Sequence, residues 1–91
     1  MIRIGLIGAG KNGAGNLRNL SRFGERCRIT AVADPQESLA REVATPYGAR
    51  VFSDYRDFFD EVDAVVISTP NWLHPANAID CAAAGKHCFI E

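Results

Sequence analysis

Three glycines near the N-terminus, Gly8, Gly10 and Gly13, form a G-x-G-x-x-G pattern whose spacing suits the binding of phosphates. The pattern follows a short apolar run and precedes a segment with helical periodicity, which is the context that such a loop requires. Gly8 permits a tight turn, Gly10 leaves the backbone open to a pyrophosphate, and Gly13 lets the helix lie close to the strand. The unpaired N–H groups of the first helical turn then face the phosphates. We therefore predict a dinucleotide-binding loop rather than a turn that merely requires glycine.

A carboxylate, Asp34, lies 21 residues after Gly13 at the end of the second apolar run. At this spacing a carboxylate can accept hydrogen bonds from the adenosine ribose hydroxyls of a dinucleotide. It would also repel the additional phosphate of NADP, and no Arg or Ser directly follows it to receive that phosphate, so the sequence favours NAD. The run from Asp34 to Glu37 is also typical of a helix start, with an acid at the N-cap and Pro35 at the first helical position. One carboxylate oxygen could serve each role.

The stretch STPNWLHPA, residues 68–76, follows the fourth apolar run and contains Thr69, Asn71 and His74. We expect these three polar side chains across the ligand crevice from the glycine loop. The residues alone leave two roles open for them. They could contact a cofactor, or they could form an ordinary turn and cap the helix that begins near Pro75.

The elements that must position these residues alternate between strands and helices. Apolar runs predict five strands, and segments with helical spacing or helix-start signals separate them. The predicted strands cover residues 2–8, 28–34, 50–52, 63–69 and 87–91, and the predicted helices cover 12–23, 35–48, 53–62 and 75–85. This order predicts an α/β fold, a doubly wound parallel sheet with helices on both faces and strand order 3-2-1-4-5. Ligands bind such sheets at the carboxyl ends of the strands, where the residues named above lie.

Composition and charge narrow the function classes. The 91 residues have an ordinary soluble composition and allow one domain. A net charge of -1 gives no support for nucleic-acid binding. No apolar run approaches the roughly 20 residues of a membrane span. Three cysteines without metal-ligand spacing are typical of reduced, buried thiols in a cytoplasmic protein, so we predict no metal site.

Four segments, in their order along the chain, resemble the N-terminal Rossmann domain of the Gfo/Idh/MocA oxidoreductases, the family of glucose–fructose oxidoreductase and inositol dehydrogenase. The segments are IGLIGAGKNG, AVADP, VDAVVISTPNWLHP and AAGKHCFIE. The glycine pattern alone is unspecific, whereas TPNWLH followed by GKHCFIE is much more specific. The resemblance implies an NAD-dependent parent enzyme that moves a hydride between nicotinamide and a carbon of a sugar, a cyclitol or a similar polyol.

The resemblance also implies roles for individual residues. The implied pyrophosphate contacts are Gly8, Gly10, Lys11, Asn12 and Gly13, the implied adenosine ribose contact is Asp34, and the implied nicotinamide ribose contacts are Thr69, Asn71, His74 and Glu91. In the family this domain closes with a Glu-Lys-Pro triplet whose lysine lies beside the nicotinamide. Here the glutamate of that triplet is Glu91, and the lysine would be the next residue, so we assign no catalytic residue within the chain. We expect a truncated single domain, residues 1–91, that lacks the substrate domain and is itself inactive.

The last predicted strand, HCFIE at 87–91, would be an exposed edge of the sheet. An uncovered apolar edge is a template for pairing with another chain. We therefore expect a homodimer or higher oligomer that forms through this edge or through the neighbouring helix face. Two other functions stay open. One is a non-catalytic or engineered half-Rossmann module that binds nucleotides, and the other is a site for a nucleotide sugar or S-adenosylmethionine, both of which can use related glycine loops.

Overall fold

The computed structural model describes residues 1–90, and within them five strands form one parallel sheet. The strands are β1 (Ile2–Ile7), β2 (Cys27–Ala33), β3 (Arg50–Phe52), β4 (Ala64–Ile67) and β5 (His87–Ile90). They lie in the order β3-β2-β1-β4-β5. The predicted α/β class and the predicted strand order are confirmed. The ligand crevice of such a sheet lies between β1 and β4, where the strand order reverses.

Three α-helices accompany the sheet, and each is shorter than the helix that the sequence predicts. They are α1 (Lys11–Leu20), α2 (Glu37–Ala44) and α3 (His74–Ala83). The prediction of a fourth helix over residues 53–62 is wrong. Two short 3-10 turns, Tyr55–Asp57 and Phe59–Glu61, replace it. Phe58 separates them, and its side chain is completely buried in the core. None of the helices within residues 1–90 is long and apolar enough to cross a membrane.

The central strands are apolar on both faces because both faces are covered. Successive side chains of a strand point to opposite sides of the sheet. Leu6 of β1 therefore packs with the helices α1 and α2, whereas its neighbour Ile7 packs with Phe58 and Cys81 on the other side. This double coverage explains why β1 and β4 appear in the sequence as continuous apolar runs rather than as alternating ones.

The edge strand β5 has a different environment. All four of its residues are exposed, and Phe89 retains 62% of its accessible surface. The predicted exposed edge is therefore present over residues 87–90. The prediction that all three cysteines are buried is wrong for Cys88, which lies on this strand, whereas Cys81 is buried and Cys27 is half-buried. Glu91, the last residue of the predicted strand, lies outside the described residues.

The glycine loop brings α1 unusually close to the end of β1. Gly8 has φ +93°, a conformation that L side chains rarely adopt, and a Cβ atom there would lie 3.0 Å from the backbone of Ser68. A Cβ atom on Gly13 would lie 2.3 Å from the carbonyl oxygen of Gly8. No other residue type fits at position 13 without moving the helix away from the strand.

This contact gives a test of the fold. We expect Gly13→Ala to lower the free energy of unfolding by about 1–3 kcal/mol, because the added methyl group meets backbone rather than a movable side chain. In Gly15→Ala, by contrast, the added methyl group meets nothing within 4 Å. That control should stabilise the helix by about 0.5–1 kcal/mol. Urea denaturation measures both values, and a Gly13→Ala variant as stable as Gly15→Ala would contradict the close approach.

Candidate functional site

A cleft of about 1100 Å³ opens at the carboxyl edge of the sheet. Its walls come from the glycine loop, the segments that follow β2 and β3, and the loop that follows β4 together with α3 as far as Asp80. Six of the predicted site residues line it, namely Gly8, Gly10, Asn12, Asp34, Thr69 and Asn71. The other predicted residues within 1–90 lie behind or beside these walls. Gly13 is buried beneath the loop, Lys11 is exposed at the start of α1, and His74 is half-buried behind Thr69. Glu91 lies outside the described residues.

The N-terminus of α1 provides one end of the cleft. Gly10 is its N-cap and has an extended backbone without a side-chain cap, and no acidic residue lies in the first turn. The first bond of the helix runs from the N–H of Ala14 to the carbonyl oxygen of Gly10 at 3.0 Å, so the helix does not use the preceding N–H groups. A Cβ atom on Gly10 would have nothing within 4 Å, which leaves room for a ligand beside the backbone. This end suits an anion.

Asp34 is fixed by two backbone N–H groups. Its Oδ2 accepts a hydrogen bond from Ala9 of the glycine loop at 2.9 Å, and its Oδ1 accepts one from Gln36 at 2.8 Å. The alternative role of Asp34 as the cap of α2 is wrong, because that helix begins at Glu37 with Gln36 as its N-cap. Asp34 instead forms an Asx turn with Gln36. A carboxylate has about four acceptor positions, so two remain for a ligand.

Side chains of α3 fix the loop that follows β4. The hydroxyl of Thr69 donates to Oδ1 of Asn77 at 2.5 Å, and Nε2 of His74 lies 2.7 Å from the carbonyl oxygen of Thr69. Because a carbonyl oxygen only accepts hydrogen bonds, Nε2 of His74 must carry the proton. Neither Asn71 nor His74 caps α3, since its N-cap is Leu73 and makes no side-chain hydrogen bond. The capping role that the sequence left open is therefore not the one in the structure.

Three residues that the sequence analysis missed hold the same region. Asn77 is only 4% exposed, and it lies four residues before the buried Cys81 on the inner face of α3. An amide at that spacing within an Ala-rich helix is a signal that could have identified it.

The hydroxyl of Tyr55 donates to Oδ2 of Asp80, and both residues line the cleft. Burial, and then the bond to Asp80, raise the pKa of Tyr55, which keeps its hydroxyl a donor. A contact between residues 25 apart has no local sequence signal.

The two parts of the cleft carry charges of opposite sign. The α1 end carries the positive pole of the helix, whereas three carboxylates, Asp34, Asp54 and Asp80, line the part beyond it. Asp54 is neutralised locally by Arg56 at 3.1 Å, and this partner lowers the pKa of Asp54. Within residues 1–90, no group of three or more His, Cys, Asp or Glu side chains is placed to hold a metal ion.

The sequence of this chain matches a family model and several known proteins. The family model described as "Oxidoreductase family, NAD-binding Rossmann fold", with the name GFO_IDH_MocA, matches residues 2–91. Glycosyl hydrolase family 109 protein 2 of Shewanella sp. (strain ANA-3) is 41% identical over 103 aligned residues, which cover 99% of this chain and 22% of that protein. Inositol 2-dehydrogenase/D-chiro-inositol 3-dehydrogenase of Shouchella clausii is 34% identical over 94 aligned residues, which cover 99% of this chain and 27% of that protein.

A solved structure agrees with these relatives. The WlbA dehydrogenase of Bordetella pertussis, crystallised with NADH and UDP-GlcNAcA, superimposes with a TM-score of 0.91 at 32% identity over 98% of this chain and 28% of that one. The chain thus spans about a quarter of the length of the relatives that it matches.

Proposed function

Since the chain belongs to the Gfo/Idh/MocA oxidoreductases, a family with an NAD-binding Rossmann fold, we propose that its cleft binds NAD(H) as the cofactor of a hydride transfer. The observation that carries this proposal is the bond between Ala9 of the glycine loop and the carboxylate of Asp34. It joins the two parts of the dinucleotide fingerprint, the phosphate loop and the ribose acceptor, in one rigid unit.

The phosphate end of the proposed site consists of backbone. Gly8 and Gly13 set the close approach of α1 to β1, and Gly10 leaves open space at the helix N-terminus. We propose that the pyrophosphate lies there, against the free N–H groups of the first turn, with Lys11 and Asn12 at its side. Lys11 is exposed at the helix start and would add a positive charge to the same end.

The adenosine ribose is assigned to Asp34. Its two bonds to Ala9 and Gln36 hold the carboxylate in place and leave acceptor positions for the two ribose hydroxyls. A 2′-phosphate would meet this fixed negative charge, so NADP should bind less tightly than NAD. We place Thr69, Asn71, His74 and Glu91 beside the nicotinamide ribose, a role supported for the first three by their position on or behind the opposite wall.

The cofactor assignment predicts that NAD and NADP bind with different affinities, and that Asp34→Ala weakens NAD binding whereas Glu42→Ala does not. We expect the chain to bind NAD about tenfold more tightly than NADP, and Asp34→Ala to weaken NAD binding about tenfold because charge-assisted hydrogen bonds are lost. Isothermal titration calorimetry measures these affinities. Glu42→Ala is the matched control, since Glu42 is an exposed carboxylate on α2 outside the cleft and should leave both affinities unchanged.

Three outcomes would contradict this assignment. Equal or tighter binding of NADP would remove the discriminating role of Asp34. An unchanged NAD affinity in Asp34→Ala would remove its contact with the ribose. Tighter binding of S-adenosylmethionine than of NAD would favour the alternative ligand class that a glycine loop allows.

The substrate of the whole protein is proposed from the relatives. Their names refer to inositol dehydrogenases, to a dehydrogenase crystallised with the sugar nucleotide UDP-GlcNAcA, and to a glycosyl hydrolase. Polyhydroxylated rings are common to all of these. We propose that residues 1–91 are the dinucleotide-binding domain of an enzyme that moves a hydride between nicotinamide and a carbon of a sugar, a cyclitol or a similar polyol. Its substrate contacts would come from a separate domain, since the chain matches only about a quarter of each relative.

A chimera tests whether this domain supports hydride transfer. The matching segment of the Shouchella clausii inositol dehydrogenase would be replaced by this chain, and the appearance of NADH would be followed by absorbance with inositol as substrate. We expect NAD-dependent oxidation, because a positioned cofactor is what the domain contributes. The same chimera with Asp34→Ala should require about tenfold more NAD for the same rate. A folded chimera that binds NAD and forms no NADH would contradict the proposal.

We also propose a cytoplasmic location. The three cysteines are free thiols, which are usual in a reducing compartment.

Self-association is proposed through the β5 edge. Within residues 1–90 no strand lies on the far side of β5, so its outward N–H and C=O groups are open to pairing. An apolar groove of about 390 Å³ runs beside it, between α1 and the strands β4 and β5, and its walls include Leu20, Val66 and Phe89. Antiparallel pairing of two β5 edges would be symmetric and would bring the two grooves together.

This proposal predicts that association depends on Phe89. We expect sedimentation equilibrium to show a dimer or higher oligomer at high concentration, and Phe89→Glu to give a monomer, because a charge would have to be buried at the paired edge. Phe23→Glu is the control, since Phe23 is similarly exposed, at 58% against 62%, and lies outside the groove. A monomeric wild-type chain at every concentration would contradict the proposal.

A further inference from the structure

The cleft continues beyond the proposed ribose site. Apart from the glycine loop and Asp34, its lining includes four apolar residues that we call the extension, Pro35 and Leu39 from the segment after β2 and Leu73 and Ala76 from the segment after β4. A nucleoside carries its base on C1′ and its phosphate on C5′, at opposite ends of the ribose. If the phosphates lie at α1 and the ribose at Asp34, the base must therefore occupy this extension. Its mostly apolar walls suit the faces of an aromatic ring.

The polar groups near the extension determine which hydrogen-bonding groups a bound base can present to them. Of the three carboxylates that line the cleft, Asp34 has each oxygen bonded to a backbone N–H group. Asp54 has each oxygen bonded to the guanidinium of Arg56, at 3.1 Å. Asp80 has one oxygen, Oδ2, bonded to the hydroxyl of Tyr55, and its Oδ1 has no hydrogen-bond partner in the described part of the chain. Asp80 lies four residues after Ala76 on α3 and lines the same cleft, so the two share one face of the helix and Asp80 offers a free acceptor beside the extension.

We propose that Asp80 is a specificity-determining residue that accepts a hydrogen bond from the exocyclic 6-amino group of adenine. The inference rests on the proposed function, because it needs the ribose at Asp34. An ionised carboxylate only accepts hydrogen bonds, and the 6-amino group of adenine is a donor. A 6-oxo purine presents an acceptor at the same position, so its oxygen would face the carboxylate without a proton between them.

Tyr55 is the positioning residue in this arrangement. Its hydroxyl bonds to Oδ2 and holds the Asp80 side chain in one orientation, which leaves Oδ1 for the ligand. The Tyr55 ring is itself held, packing edge-on against Phe59 with 6.1 Å between ring centroids. Two side chains from separate elements, the turn after β3 and the helix α3, are thereby joined in the wall of the cleft.

A pair of cofactors that differ only at this position tests the inference. NAD and nicotinamide hypoxanthine dinucleotide, which carries a 6-oxo group instead of the 6-amino group, would be titrated into the wild-type chain by calorimetry. We expect NAD to bind about tenfold more tightly, the size of effect typical of a hydrogen bond to a charged group. Asp80→Asn should abolish or reverse this preference, since its amide nitrogen can donate to the 6-oxo group. Asp80→Ala, a favourable helix substitution, should bring the two affinities to within about twofold.

Matched controls separate this role from a structural one. Asp57→Asn changes an exposed carboxylate outside the cleft and should keep the tenfold preference expected of the wild type. Tyr55→Phe should reduce the preference by less than Asp80→Ala does, because the acceptor remains but is less well oriented. A wild-type chain that binds both cofactors equally, or a preference that survives in both Asp80 variants, would overturn the inference while leaving NAD binding intact. A chain that binds neither cofactor would overturn the proposed function and this inference together.

Discussion

The contact between α1 and the end of β1 determines where the other groups of the cleft can be. With Gly13 against the carbonyl oxygen of Gly8, the helix N-terminus lies directly over the end of β1. Ala9 then reaches Asp34 on the neighbouring strand β2, and Asn16 reaches Ser68 after β4 at 3.3 Å. One steric constraint therefore sets the distance from the N-terminus of α1 both to Asp34 and to the opposite wall. A larger residue at position 13 would disturb the α1–β1 contact, the Ala9–Asp34 bond and the Asn16–Ser68 bond, although it touches neither Asp34 nor Ser68.

The opposite wall depends on α3 in a different way. There the constraint is the burial of a polar group rather than close packing, since Asn77 lies in an apolar interior and its oxygen must find a donor. Thr69 supplies that donor, and the bond fixes the first turn of the loop after β4. The two walls thus have separate supports, one made of backbone and glycine and one made of side chains. Substitutions in α3 can alter one wall while leaving the glycine loop unchanged.

Features with local causes could be predicted from the sequence. The strand order followed from the alternation of apolar runs and helices, and the glycine loop followed from a spacing that has a steric reason at each position. The helix over 53–62 was wrong because two separate 3-10 turns form there, one on each side of the buried Phe58. The alternative role of Asp34 as a cap was wrong because α2 begins at Glu37 with Gln36 as its N-cap, two residues later than the sequence pattern indicates. The bond between Tyr55 and Asp80 depends on how α3 crosses the sheet, which no local pattern encodes.

If Asp34 holds the adenosine ribose as we propose, selection between NAD and NADP is a property of the fold. A flexible acid could turn toward solvent when a 2′-phosphate arrives, at little cost. Asp34 cannot do so without giving up bonds to Ala9 and Gln36 and leaving two backbone N–H groups without their acceptor. The loss of such charge-assisted bonds costs about 1.5–3 kcal/mol each. In the proposed site, the glycine loop itself would then enforce rejection of the larger cofactor, because the same N–H group that orients the acid also connects it to the N-terminus of α1.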